Sequence, residues 1–590
     1  MSKTHNDEDI IEVSFPKINH FWIDSGLLGL YRIAEQCNSK DLNVEMSISD
    51  NGVVFKGTES DVDKFLHDIY EILLSSYYNT SSRKQVDNND QFYYDSKNDK
   101  FVRFPKIKTM GIAELIFNHA TTPTKTAIKY EEDGTLPKDY EHLQESLKSF
   151  LFDTGIKHGN KLLIDGPYET RPKIYIDVKK GKPKGTCFLC GNLSHSLSDI
   201  GSSVFPMITG KSGVLSFNSM GNSPEKVCWK CSYISKFVPV VGFYVMNRGA
   251  LHMYLPYSSS LEKMNYVQKN LQIIRKDDPN LFSNFDQQLG GFFQRPFEQF
   301  FSFLYSLYRI VMVKKTVLDG DSGYELDYEK LFDITLSKAP VGYYVVDTER
   351  FSNAQMGKMI WFFQGSVYFF RLMDRIEKNN IDIKNVMTLL IDSKEKNVKK
   401  KLLNNKAIYD RKTLLRNRIC ERILNMQSIV DMVEKHVFSI NKSDIKNIRP
   451  LHDFVITYEK ILNEEGEVMK QNVINVAISL GKSIGNSIGG ENERFKPREG
   501  KDYLFRLRRA RKIEDFLNEI NRIQINYDVS VSRDLYEIGQ AIEENFTEFK
   551  QFCMIVALNM FNYRVEKQWT KKQKKDNNGD NNVENMEKNI

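Results

Sequence analysis

Histidine is scarce in this chain, with 10 in 590 residues and no HExxH pair among them. That leaves little material for a hydrolytic metal centre, which needs imidazoles spaced to converge on one ion. A complete phosphate loop is also missing. Gly210-Lys211-Ser212 and Gly481-Lys482-Ser483 end like one, but neither has the glycine five positions upstream of its own. Without it there is no nest of backbone amides for phosphates. Long apolar runs are missing too. Phe237 to Pro256 comes nearest, but Pro239 breaks its start and Asn247-Arg248-Gly249 its middle, so it reads as a buried β-hairpin rather than a membrane span. Met1 to Glu12 is polar and acidic, so no signal peptide is expected. Only 7 cysteines are present, four of them in metal spacing, which excludes a disulfide scaffold and points to a reducing, cytoplasmic setting.

Those four are Cys187, Cys190, Cys228 and Cys231, two CxxC pairs. Thiolates two residues apart can reach one metal, and two such knuckles close a tetrahedral shell with no position left for chemistry. A closed shell is structural, and Zn2+ is its expected occupant; a redox pair or an iron site is the rival reading. Gly191 follows the first pair, where the turn needs a positive φ. The 37 residues between the pairs are rich in Ser, Gly and Asn, longer than a compact zinc ribbon. Cys37, Cys420 and Cys553 sit in apolar helical patterns and read as core.

Net charge is only +6, yet the cations are clustered. Asp392 to Arg422, including Lys399, Lys400 and Lys401, has 11 Lys/Arg against 4 Asp/Glu; Arg494 to Lys512 has 9 against 2. Arg171 to Gly185 adds six, with Lys179, Lys180, Lys182 and Lys184 among them, against Asp177 alone. One such run is what a solvated face looks like; three favour a polyanion partner.

At 590 residues, 41% hydrophobic with 38 Phe, the chain is folded and multidomain. The expected class is α+β: an N-terminal α+β part over 1–180, then an inserted four-cysteine zinc module with its hairpin over 181–260. A mainly helical part over 261–440 follows, then a small helical bundle over 441–569 and a disordered tail over 570–590. Leu42 to Phe55 alternates like a hairpin turning at Asp50-Asn51-Gly52, and Asp61 to Tyr78 is an amphipathic helix with Ser60 as its N-cap. A polar loop, Asn79 to Lys100, precedes a basic strand over Phe101 to Lys108. Phe297 to Val313 and Gln355 to Ile376 read as long buried helices, with one short strand, Val341 to Val346, between them. The bundle helices are expected at Ser443–Leu462, Met469–Ile484, Lys501–Ile525 and Ser532–Val565. In the third, Leu504, Leu507, Ala510, Ile513, Leu517 and Ile520 form the buried stripe, while Arg506, Arg508, Arg509, Arg511 and Lys512 project around it.

Two catalytic patterns fail on context. Gly485-Asn486-Ser487-Ile488-Gly489 matches the nucleophile elbow, but a helical run precedes it where a strand is required. His67-Asp68 and His452-Asp453 lack any further His/Asp constellation.

The cysteine pairs near residue 200, after an opening Phe21-Trp22-Ile23-Asp24-Ser25-Gly26-Leu27-Leu28-Gly29-Leu30, resemble one family. It is the large subunit of type I CRISPR surveillance complexes (Cascade), in the CXXC–CXXC branch of type I-B. The resemblance covers the order of parts along most of the chain. It implies a subunit that cuts nothing itself: guide crRNA reads the target, while protein reads a flanking motif (PAM) in double-stranded DNA. It implies contact with the guide 5′ end, help in opening the duplex, and recruitment of a separate helicase–nuclease. The further partners would be the backbone, repeat-processing and small subunits of the complex, with no membrane. Asn79, Arg83, Lys84 and Asn88 are side chains suited to base edges in a groove, although a solvated surface loop is the simpler reading of all four. Genes of this branch often encode the small subunit by internal translation. Glu465-Gly466-Glu467-Val468-Met469 can be encoded with a ribosome-binding sequence just before an internal start, giving residues 469–590. Two other readings stay open: a zinc-stabilised nucleic-acid scaffold outside CRISPR, and a nuclease whose site is too dispersed for motif reading.

Overall fold

The structure, a computed structural model, describes residues 10–37, 41–78, 92–103, 121–122, 126–157, 159, 161–165, 168–169, 172–176, 182–200, 204, 226–247, 250–275, 293, 295–318, 341–351, 354–391, 413–442, 445–465, 471–490, 497–537 and 539–587. The fold is mixed α+β with a helical C-terminal half. It divides into two compact units, one of residues 1–284 and 327–364, the other of 285–326 and 365–590.

In the first unit, the strand Ile10–Pro16 pairs with Gly52–Thr58, which pairs in turn with Glu45–Ser49, all antiparallel. The hairpin turns where the Asp-Asn-Gly sequence demands: Gly52 has φ 143°, and a β-carbon there would meet the Phe15 carbonyl. The next helix, Glu59–Tyr77, is capped by Thr58 rather than Ser60, the Thr58 hydroxyl accepting from the Asp61 amide at 3.1 Å. Ser60 lies inside the first turn, because the extended chain of the preceding strand ends at Thr58.

The polar stretch expected to be loop contains a strand, Phe92–Asp95, paired antiparallel with Lys100–Arg103. It joins a four-stranded sheet with Lys161–Ile164 and Thr126–Lys129, over a small separate core that includes Phe92, Leu147 and Leu162. Four polar-flanked residues were too short to show a period.

The hairpin of the first unit is narrower at its start than expected. Phe237 opens a 3-10 turn around Pro239, and the strands proper are Phe243–Asn247 and Ala250–Tyr257. They extend into a four-stranded antiparallel sheet with Gly342–Phe351 and Ala354–Phe363. The last of these corrects the long helix expected over Gln355 to Ile376: residues up to Phe363 are strand, and only Ser366–Lys378 is helix. An unbroken aromatic run has no period to separate strand from helix. The partner strand, ten residues long rather than six, supplies the hydrogen bonds that decide it.

Among the described residues, the second unit is helical from Ser366 on. Its Pro296–Leu318 helix holds the buried Glu298, which accepts from Arg416 Nε at 2.7 Å, both side chains being essentially sealed from water. Bundle helices run Arg449–Glu465 and Gln471–Ile488. The expected Lys501–Ile525 helix is two, Pro497–Arg509 and Ile513–Asn526, broken at Ala510–Lys512. After that break the buried stripe moves from Ile513 and Leu517 to Phe516, Ile520 and Ile523. Residues expected as one helix from Ser532 form two short turns and then Phe546–Glu587, which carries helical backbone through most of the polar tail. Cys420 and Cys553 are core residues, and Cys37 is half-buried.

Candidate metal centre

The two knuckles are built differently. At the first, Gly191 takes φ 71° and donates to the Cys187 carbonyl at 2.9 Å, while the Cys187 amide donates to Asn192 O at 2.8 Å. This tight turn leaves both side chains on one side. At the second, Cys228 ends the strand Lys226–Cys228 and caps the helix Trp229–Ser235. Its Sγ accepts from the Cys231 amide at 3.5 Å, and the Cys228 amide donates to Cys187 Sγ at 3.3 Å. Backbone N–H groups aimed at sulfur stabilise thiolate, the form that binds metal. The Phe188 amide bonds Lys226 O at 2.9 Å, tying one knuckle to the other.

The four Sγ atoms lie within 4.8 Å of one another, and Cys190 and Cys228 are 3.8 Å apart. A tetrahedron with metal–sulfur bonds of about 2.3 Å has edges of about 3.8 Å. A disulfide needs about 2.05 Å, so the geometry is that of a metal shell and not a bond. Cys187, Cys228 and Cys231 are buried and Cys190 half-buried, leaving no open ligand position among them. Hydrogen bonds among the four thiols push Cys187 well below the ordinary thiol range and Cys228 and Cys231 well above it. The set therefore titrates as one unit and must shed protons to bind an ion. Among the described residues no other group of three or more His, Cys, Asp or Glu converges.

The shell is fixed to the N-terminal core. The helix Phe21–Ala34 presents Gly26 and Gly29 to the segment after Cys231, and a β-carbon at Gly26 would lie 2.3 Å from Ile234 O. Tyr233 donates to Leu66 O at 2.6 Å, and Tyr78 to Lys236 O at 2.6 Å. The opening motif and the cysteine module thus share one hydrophobic core.

The sequence-predicted nucleic-acid residues have mixed placements. Asn79, Arg83, Lys84, Asn88, Lys179, Lys180, Lys399, Lys400 and Lys401 lie outside the described residues. Lys182 and Lys184 are exposed, and the Lys184 amide bonds Ser194 O at 2.9 Å, next to the first knuckle. Arg506, Arg509, Arg511 and Lys512 are exposed around the break between the two helices. Arg508 is different: its guanidinium grips the buried Glu434 through Nε at 2.5 Å and Nη2 at 3.1 Å, over the Phe438 ring.

That pair forms one wall of an open cleft of about 890 Å³ within the bundle. Sequence reading missed Lys435, Lys442 and Lys550, which line it with Lys501 and Arg509. Counting Arg508, there are six cations against Glu434 and Asp502, a surplus of four. Lys435 and Lys442 flank the end of the helix Val430–Ile440 while Lys550 lies on the final helix, so no single local run could reveal the set.

Gly481 of the phosphate-loop-like triplet and Gly485 of the elbow-like pattern have a packing role. β-Carbons at Gly481 and Gly485 would lie 2.5 Å from Cys553 O and 2.3 Å from Ala557 O, so these glycines let the Gln471–Ile488 helix meet the final helix. Ser487 sits on a helix, its hydroxyl donating to Asp528 O at 2.6 Å. No described helix is long and apolar enough to cross a membrane. No protein-family model matches the chain, and no curated protein sequence matches it either.

Proposed function

We propose that this protein is a non-catalytic, zinc-pinned subunit that grips nucleic acid, serving as the large subunit of a type I-B Cascade complex in antiviral defence. Zinc is the ion that best suits four thiolates in a closed tetrahedron, since it needs no open position and no redox partner. The observation that carries the reading is the cationic cleft walled by helices in the second unit; the four-cysteine centre belongs to the first. A structural metal stiffens a platform, and a cluster of lysines and arginines around an open cleft attracts phosphates. The opening motif packed directly onto the second knuckle supports the resemblance, because the two elements that carry it act as one structural unit. In this reading the chain contacts the crRNA 5′ end and the PAM in duplex DNA. It aids R-loop formation and recruits the helicase–nuclease, with the backbone, repeat-processing and small subunits as neighbours in the cytoplasm.

The test is co-purification of the tagged chain expressed with its neighbouring genes, followed by mass spectrometry of protein and sequencing of RNA. Repeat-derived guides and the partner subunits are the expected cargo. A chain that elutes alone, or that degrades labelled DNA with Mg²⁺, would defeat this assignment.

A further inference from the structure

Beside the metal shell lie two cavities, of about 420 Å³ and about 380 Å³, that share one wall. Tyr175, Ser196 and Trp229 line both. The first is also lined by Asn192, His195 and Glu12. His195 Nδ1 is shut off from water there and has no hydrogen-bond partner. An unpartnered buried nitrogen of this kind is uncommon in folded proteins. The second cavity is lined by Lys173, Lys236, Ser198 and Ser232, with Asp199 as its one carboxylate.

We infer that these paired cavities form a site for one nucleotide of a single strand, the base entering beside His195 and its phosphate lying toward Lys173 and Lys236. The inference rests on the nucleic-acid reading above and adds a defined contact to it. Unstacked bases are held by aromatic faces and by hydrogen bonds to their edges. Trp229 and Tyr175 supply the faces, and His195, Asn192 and Glu12 supply donor and acceptor atoms at the edge. Each cavity falls within the ordinary range of ligand pockets. Lys236 is almost fully buried, and desolvation holds its ammonium down to about 8. An incoming phosphate would stabilise that ammonium in its charged form. The exposed Lys182 and Lys184 precede the strand Gly185–Thr186, whose Gly185 pairs with Ser194, and there the chain to either side of the bound nucleotide would pass.

The experiment uses the full chain with short single-stranded RNA and DNA oligonucleotides carrying 5-iodouracil, photo-crosslinked and mapped by mass spectrometry. Crosslinks at Trp229 or Tyr175 are expected, and the sugar that gives the higher yield identifies the strand. His195→Ala and Lys173→Ala, which leave the cysteines and Trp229 in place, should each lower that yield by about fivefold, the worth of one hydrogen bond. Metal content and the salt dependence of overall binding should stay as in the parent. Oligonucleotides that bind but crosslink only elsewhere would overturn the nucleotide site and leave the proposed function standing. Absence of any binding would remove both.

Discussion

Gly29 and Phe237 are in near-contact through their backbones: a β-carbon on Gly29 would lie 2.1 Å from the Phe237 carbonyl oxygen. The first helix therefore meets the segment after the second knuckle with no room for a side chain. Gly29→Ala should cost about 1–3 kcal/mol through overpacking. It should also speed metal loss, since the knuckle helix leans on that contact. Metal release to a colorimetric chelator, compared between parent and variant, checks this; equal rates would separate the helix contact from the site.

Removing a thiolate should be more severe. Cys231→Ser leaves three sulfurs and breaks the closed tetrahedron, with zinc-site binding energies of about 10–16 kcal/mol at stake in small domains. On the zinc reading, elemental analysis should fall from one metal ion per chain in the parent to near none. The first thermal transition should drop by roughly 10 °C. Chelation of the parent should reproduce both effects.

Glu459 gives the bundle a pH signature. Burial raises its carboxyl to about 7 from 4.5, despite hydrogen bonds from the Ile429 amide and the Ser428 hydroxyl. The folded state thus binds this proton more tightly than the unfolded one. Its contribution to stability is full below pH 4.5, declines between about 4.5 and 7, and stays lost above 7. The decline is on the order of 3 kcal/mol. Glu459→Gln keeps an oxygen for both donors and should flatten this part of the stability profile, with a net gain at pH 8. A variant with the parent's pH slope would contradict the assignment.

Arg508 and Arg509 are neighbours with opposite expectations. Arg508→Ala strands the buried Glu434 and should destabilise by about 1–3 kcal/mol. Arg509→Ala and Lys442→Ala should leave the melting temperature near the parent's. If they line a phosphate path, each lowers the slope of log affinity against log salt by roughly 0.9 on duplex DNA, or 0.7 on a single strand. Filter binding across a salt series distinguishes the two behaviours.

Met469 lies outside the described residues, but the helices after it pack on one another through Gly481 and Gly485. Residues 469 to 590 number 122 (590 − 469 + 1), about 14 kDa at the chain's 68.7 kDa for 590 residues. Recoding Met469 to a codon that cannot start translation should abolish a co-purifying band of that size. Persistence of the band would rule out internal initiation.

The cysteine centre was fully legible in sequence, because two residues between thiols is a local geometric condition. The hairpin at Asp50-Asn51-Gly52 was legible for the same reason. Gln355 to Phe363 was not, since a run of aromatic and apolar residues satisfies helix and strand alike until a partner strand arrives. The arginine run after Leu504 was visible as charge, but nothing local separated Arg508 from Arg506 and Arg509. Only Glu434, on another helix, made that distinction.

Sequence by itself determined the four-cysteine cluster, the α+β class and the cationic character of the second half, because each depends on neighbours along the chain. Tertiary structure decided that Gly26 and Gly29 exist to admit the knuckle helix, that distant lysines ring one cleft, and that two cavities share Trp229. Those are meetings of segments far apart in the chain, and close packing, not local propensity, brings them together.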